Sequence, residues 1–493
     1  MKNLQNVALL PPRPVGWLWP ILGQVSAVLN SQALFLRQMA LVVLVGQVVF
    51  WIAAAASRVM LFADGSFFAY ALATGHAWEL KWQFLTTRIS TYLLTVVPTE
   101  AVCAALSCNG SQIAVVNGAI FYLVPLLQFA YLVHIAWRRF PALLAFPLVQ
   151  YAFAVGLGYG FPSEILLAPG FFWICMFSIL QRPLPLGVLL FSFAGLVFSH
   201  EMALAAALVV VLQFFIEMRG KGSPGAISLF QARLFGAVAV ALFVLDGFLI
   251  LSGGGSGGNA NALHVFDPRR LLIDPALWLV AAATLAAAAF SLFAKRAAPL
   301  VLIVGFTALC AVLTILAGDK LNYALGRYDS ARSIIGFSMA GLGILFIGLR
   351  LKGEAGAALP GPVTFLRLAL PGVLAVIFAA NAVFLVQWTK GLAAFEKGVN
   401  AQNPSSIIRF SAGWDVMDPV GFRYSDRAGF SWAWPYRSIV LAENYRPKTI
   451  FYLPDSISPA CGSPRLARFS DSPVPASVTR DLEGFACGQA GRK

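Results

Sequence analysis

Asp64, in Ala63-Asp64-Gly65-Ser66-Phe67-Phe68, stands just beyond the first long apolar run of the chain. A carboxylate at that place suits proton abstraction from an acceptor, or holding a metal ion for a lipid-borne substrate. Behind it come His76, Trp78, Glu79, Lys81, Trp82 and Arg88. Three further connections carry ionisable groups. Glu164 closes Tyr159-Gly160-Phe161-Pro162-Ser163-Glu164, and His200-Glu201 sits at a tight turn between two apolar runs. Asp319, Lys320, Arg327, Tyr328, Asp329 and Arg332 crowd the approach to a late apolar run. Such groups at membrane depth are costly and mark function by default. Four connections bring them to one side, so convergence on a single cavity is geometrically open.

Each residue also has a plainer reading. Asp64 before Gly-Ser can cap the helix that follows, and Glu164 after Pro-Ser suits the positive end of a helix dipole. His200-Glu201 can be a satisfied turn pair. Arg327 and Arg332 can reach out of the bilayer as interface residues, and Lys81 and Arg88 can rest against lipid headgroups. The constellation carries more weight than any member.

The elements that must position these residues follow from composition. Of 493 residues 59% are apolar and only 11% charged, with mean hydropathy +0.78. A spanning helix needs about 20 mostly apolar residues, and the recurring runs are too long for barrel strands. The pattern predicts an all-α polytopic membrane protein of about eleven spans: 38–57, 113–137, 142–158, 165–180, 184–199, 202–217, 230–252, 273–294, 298–317, 332–350 and 366–388. The short pair on either side of His200 reads equally as one long tilted helix or as a re-entrant pair. Lys and Arg gather at alternate ends (Arg37, Arg138-Arg139, Arg182, Arg219, Lys295-Arg296, Arg350). By the positive-inside rule this puts the amino terminus in the cytoplasm and the carboxyl terminus outside an inner (plasma) membrane. The first run then reads as an uncleaved signal-anchor. Residues 1–37 form an amphipathic cytoplasmic arm, with a surface-lying helix around Leu18–Leu36. Residues 38–388 are the membrane domain, with a large outer loop at 58–112.

Residues 389–493 change character: Gly/Pro/Asp turns, clustered Trp and Tyr, and strand-like pieces at Ser438–Leu441 and Thr449–Leu453. They predict a small mixed or β-rich domain on the extracytoplasmic face. The tail carries 13 Lys/Arg against 9 Asp/Glu, a mild excess that suits anionic headgroups. Cys103 and Cys108, and Cys461 and Cys487, make two outer pairs suited to disulfides in an oxidising compartment, whereas Cys175 and Cys310 fall within spans. The net charge of +14 is in part the topology signal, and no nucleic-acid module, phosphate loop, dinucleotide fingerprint or HExxH helix is present.

About eleven spans, an Asp beyond the first, a long amphipathic first outer loop and a second-loop acid resemble the GT-C glycosyltransferases, which use polyprenyl-phosphate or polyprenyl-diphosphate sugars. The resemblance covers the layout of the spans, through short motifs. It implies that Asp64 is the catalytic or metal-organising carboxylate and Glu164 its second-loop partner. It also implies that Arg327 or Arg332 contacts the donor phosphate. The tail has no WWD-type acceptor motif, which speaks against protein N-glycosylation and leaves a glycan, lipid or protein as acceptor. The chemistry agrees: transfer needs a base for the acceptor and positive charge or a metal at the leaving phosphate. Arg327, Arg332, Lys81 or Arg88 could supply that charge, Mg2+ or Mn2+ could sit between Asp64 and Glu164, and His200 and Glu201 could position the acceptor. The competing reading is a transporter or lipid flippase. Its expected signs are mid-span charges and inverted repeats. Asp246, with polar Asn117 and Gln128, is the mid-span content, and no repeat is evident.

Overall fold

The computed structural model describes residues 18–62, 64–73, 88–156, 162–219, 227–252, 323–351, 362–400, 407–409, 434–442 and 450–452. Its helices, in chain order, are α1 (Leu18–Ala56), α2 (Asp64–Ala73), α3 (Ile89–Leu106), α4 (Gly110–Arg139), α5 (Pro141–Gln150) and α6 (Glu164–Leu180). They continue with α7 (Leu186–Val197), α8 (Glu201–Arg219), α9 (Leu229–Ser252), α10 (Tyr323–Leu351), α11 (Pro362–Val399) and α12 (Trp434–Leu441). Six of these contain stretches long and apolar enough to cross a membrane: Ala33–Ala56, Ile89–Leu106, Gly110–Arg139, Glu201–Arg219, Leu229–Ile250 and Leu370–Lys397. The expected spans 273–294 and 298–317 lie outside the described residues. Apart from one three-residue parallel pairing, Ile407–Arg409 with Ile450–Tyr452, every described element is helical.

The antiparallel pair α1/α4 serves as a depth ruler. Arg37 donates to Trp137 O at one end (2.6 Å), Trp51 Nε1 to Ala119 O midway (2.7 Å), and Arg58 to Ser111 Oγ at the other (3.0 Å). From Arg37 to Arg58 is roughly 30 Å of helix at 1.5 Å per residue, close to the thickness of a bilayer core. Arg58 stops α1 in the left-handed conformation, with φ of 53°. It also meets Glu396 of α11 at 2.7 Å. Both partners are partly exposed, at 18% and 33%, so Glu396→Gln is expected to cost under about 1 kcal/mol in thermal unfolding.

Part of the expected outer loop 58–112 is helical. Within it α3 is an 18-residue apolar helix, hidden from a hydropathy reading by Pro98, Glu100 and the run Ser90, Thr91, Thr95, Thr99. The helix tolerates those hydroxyls because Thr95 and Thr99 donate to the carbonyls of Thr91 and Thr95, both at 2.6 Å. It doubles back on α4 through a short turn closed by a Cys103–Cys108 disulfide. Asn109 and Gln112 form a reciprocal capping box there at the start of α4. Thr99 Oγ1 lies 3.4 Å from Asn117 Oδ1, so α3 begins deep in the bundle and ends near Arg58.

Three other expectations change. Leu18–Leu36 is continuous with the first span as one 39-residue helix, rather than a separate surface helix. Ser438–Leu441 belongs to α12, a helix and not a strand. Arg437 at its centre is 1% exposed and turns inward, so helical spacing outweighs the local β propensity of Ile439 and Val440. Helix α10 likewise starts at Tyr323, which puts Arg327 and Arg332 on helical backbone where a loop was expected.

The turn into α2 leaves no room for a side chain at Gly65. An added Cβ would fall onto the carbonyl oxygen of Met60. Gly65→Ala is therefore expected to lower the melting temperature sharply, because backbone and not a flexible side chain must move aside. A melting temperature within a degree of wild type would refute that packing.

Candidate functional site

Helices α3, α6 and α8 start at one place inside the bundle, where α7 ends. Helix α7 has only 12 residues, about 18 Å, too little to cross a bilayer core. The turn from α7 into α8 at His200 is buried, with His200 1% exposed. Helix α6 runs parallel to α4, with Gly170 against Gln128 and Trp173 bonded to Gln150, whose neighbour Tyr151 packs its ring on Phe129 at 6.1 Å. Glu164, at the start of α6, then sits roughly 15 Å inside the Arg58 end of the bundle. At the opposite end Arg182 meets Glu217 at 3.5 Å, closing α6 to α8.

Arg88, just before α3, reaches Glu164 and Glu201 together. Its Nη1 donates to Glu164 Oε1 at 2.9 Å, and its Nη2 meets both oxygens of Glu201 at 3.3 and 3.4 Å. Arg332 of α10 donates from Nε to Ser163 Oγ at 2.9 Å, and its Nη2 stands 3.5 Å from Glu164 Oε2. Glu164 and Glu201 are 2% and 5% exposed. Both carboxylates occupy the first turn of their helices, where the dipole favours negative charge. Two guanidiniums, two carboxylates and three helix starts thus meet in the interior.

His200 completes the turn. Its Nδ1 accepts from Met202 N–H at 3.1 Å, which leaves the ring proton on Nε2. Glu201 Oε2 comes within 3.1 Å of Nδ1. His200 Nε2 is buried and has no hydrogen-bond partner among the described residues, so it is a donor available to a guest.

Five of the sequence-predicted residues are thus brought together: Arg88, Glu164, His200, Glu201 and Arg332. Asp64 begins α2, which packs on α4 and α12; its side chain lies outside the described residues, as does that of Arg327. Lys81, Cys461 and Cys487 lie wholly outside them. Sequence reasoning missed Ser163 as a partner of Arg332. It also counted Asp246 only as mid-span content. Asp246 is 2% exposed, its Oδ1 has no hydrogen-bond partner among the described residues, and it lies close enough to Glu201 for their charges to interact. A lone acid in an apolar helix was the available signal.

Both Glu164 oxygens face guanidinium groups; Asp64, its expected partner in holding Mg2+ or Mn2+, has its side chain outside the described residues. Comparison with protein-family profiles, with characterised proteins and with solved structures found no match.

Proposed function

We propose that the chain is a membrane glycosyltransferase whose Arg88–Glu164–Glu201–Arg332 cluster receives the phosphate of a polyprenyl-phosphate sugar. One observation carries the reading: two guanidiniums and three helix starts converge on a buried point inside the helical bundle. Helix N-termini and arginine forks are the groups that bind phosphate oxygens. At rest the two glutamates occupy that positive field. The donor phosphate exchanges with them on Arg88 and Arg332, and His200 Nε2–H supplies a further donor.

Transfer then breaks the bond between the sugar's anomeric carbon and the phosphate oxygen. The acceptor oxygen bonds to that carbon, and its proton passes to a carboxylate: Asp64, or a glutamate released from its arginine. The lipid phosphate leaves with the negative charge, which the guanidiniums stabilise. The site would face the extracytoplasmic side of an inner membrane, with the amino terminus in the cytoplasm. Glycan, lipid and protein acceptors are all compatible with it.

A transporter is the alternative, favoured by the buried Asp246 in α9. The test is release of lipid phosphate from polyprenyl-phosphate sugars by the protein in lipid nanodiscs. Asp64→Asn is expected to slow release at least about 100-fold, the usual range for losing a proton-transfer group. No release from any donor would sink the assignment, and full activity in Asp64→Asn would take the base role from Asp64 and give it to a glutamate of the cluster.

A further inference from the structure

A second polar feature lies at mid-depth, toward the Arg37 end from the charged cluster and sharing no residue with it. A pocket of about 30 Å3 is bounded by α1, α4, α6 and the helix carrying Gln150 and Tyr151; its lining includes Gln47, Pro125, Phe129 and Trp173. Gln150 is engaged on both sides, accepting from Trp173 Nε1 and donating to Ser338 Oγ at 3.2 Å. Gln47 and Gln128 are not. Gln47, 2% exposed, lines the pocket with Oε1 unpartnered among the described residues. Gln128, 6% exposed, has neither amide atom paired among them, and it stands over Gly170 in the pocket wall, where an added Cβ would overlap its amide. Pro125 brings no N–H to the α4 ladder, so the carbonyl one turn earlier also loses its helical donor.

These groups sit near the middle of a bundle whose outer faces are apolar. Buried amide groups are paired with protein or with ordered water as a rule. Inside membrane bundles, groups freed by proline are re-satisfied by neighbouring side chains or by water. A water needs about 10–15 Å3 of such space and two to four polar partners, so the pocket has room for about two waters and for nothing much larger.

We propose that this pocket is a water-binding site in the middle of the membrane bundle, holding about two ordered waters against Gln47 Oε1 and the Gln128 amide. Leu166, in its wall, is two residues from Glu164, so the waters underlie the charged cluster. The proposal is independent of the glycosyltransferase reading.

The sign of a stability change tests it. Methionine closely matches glutamine in shape and cannot hydrogen-bond strongly. In a hydrated pocket, Gln47→Met and Gln128→Met each strip a partner from the water, and the melting temperature should fall by about 2–4 °C. In a dry pocket each change removes an orphaned amide, and the melting temperature should rise. A high-resolution cryo-EM map of the wild-type protein is the second measurement, and it decides alone if the variants fail to fold. Density at hydrogen-bonding distance from Gln47 Oε1 and the Gln128 amide supports the site. Melting temperatures that rise or stay level, or a pocket without density, overturn it.

Discussion

Arg88→Ala is expected to cost the protein about 3–5 kcal/mol, the usual result of stripping a buried carboxylate of its cation. The Arg88 side chain is 12% exposed, and the side chains of its partners Glu164 and Glu201 are 2% and 4% exposed, so solvent cannot compensate them. Removing all the charges together is a different experiment. Arg88→Leu and Arg332→Leu combined with Glu164→Gln and Glu201→Gln should recover most of the loss, because pairing in a buried cluster roughly repays its desolvation. The same quadruple variant should bind no lipid phosphate. Thermal unfolding in one lipid nanodisc preparation measures both variants. A single Arg88→Ala variant as stable as wild type would mean that the carboxylates are neutralised some other way.

Arg437→Ala is expected to have the second large effect, about 4 kcal/mol, from hydrogen bonds at about 1 kcal/mol each and cation–π contacts of similar size. Arg437 is 1% exposed. It donates to Leu61 O at 2.6 and 3.0 Å, to Phe62 O at 3.1 Å and to Ser66 Oγ at 3.4 Å. Its guanidinium lies 5.0 Å from the Trp388 ring and 5.3 Å from Phe395, and Tyr436 beside it packs on Tyr70 at 5.2 Å. The carbonyls it holds come just before Asp64, so α12 fixes the start of α2. Arg437→Lys keeps the charge but not the fork, and should recover less than half the loss. Limited proteolysis should then cut the C-terminal segment near residue 434 faster than in wild type. Unchanged proteolysis would show that α12 is held by other contacts.

Most of the membrane helices were legible because long apolar runs report directly on burial in lipid: α4, α8, α9 and α11 lie where hydropathy put them. Helix α3 was not, because Thr95 and Thr99 bond to the helix's own carbonyls and Ser90 to Gly195 O, and such hydroxyls cost little at depth although a hydropathy sum counts them as polar. Helix α12 was missed because a buried arginine reads as a surface residue until its carbonyl and ring partners are known. In the site, Glu164, His200-Glu201 and Arg332 stood out as ionisable groups at the ends of apolar runs. Their convergence depends on α7 being too short to cross, a length visible in the sequence. Arg88 as the hub was not visible. It belongs to the segment read as a loop, and only the fold of α3 against α4 carries it inward. Ser163 and Asp246 become site residues only through contacts of separate helices.

The central claim is that the Arg88–Arg332 cluster is a receptor for a lipid-borne phosphate. The direct measurement is equilibrium binding of polyprenyl phosphate and of the uncharged polyprenol to the protein in nanodiscs, for wild type and Arg332→Gln. The account predicts that wild type prefers the phosphate over the alcohol, and that Arg332→Gln weakens phosphate binding about tenfold, for loss of one charge-assisted hydrogen bond, while leaving the alcohol unaffected. Equal binding of the two lipids, or a phosphate affinity unchanged in Arg332→Gln, would contradict it.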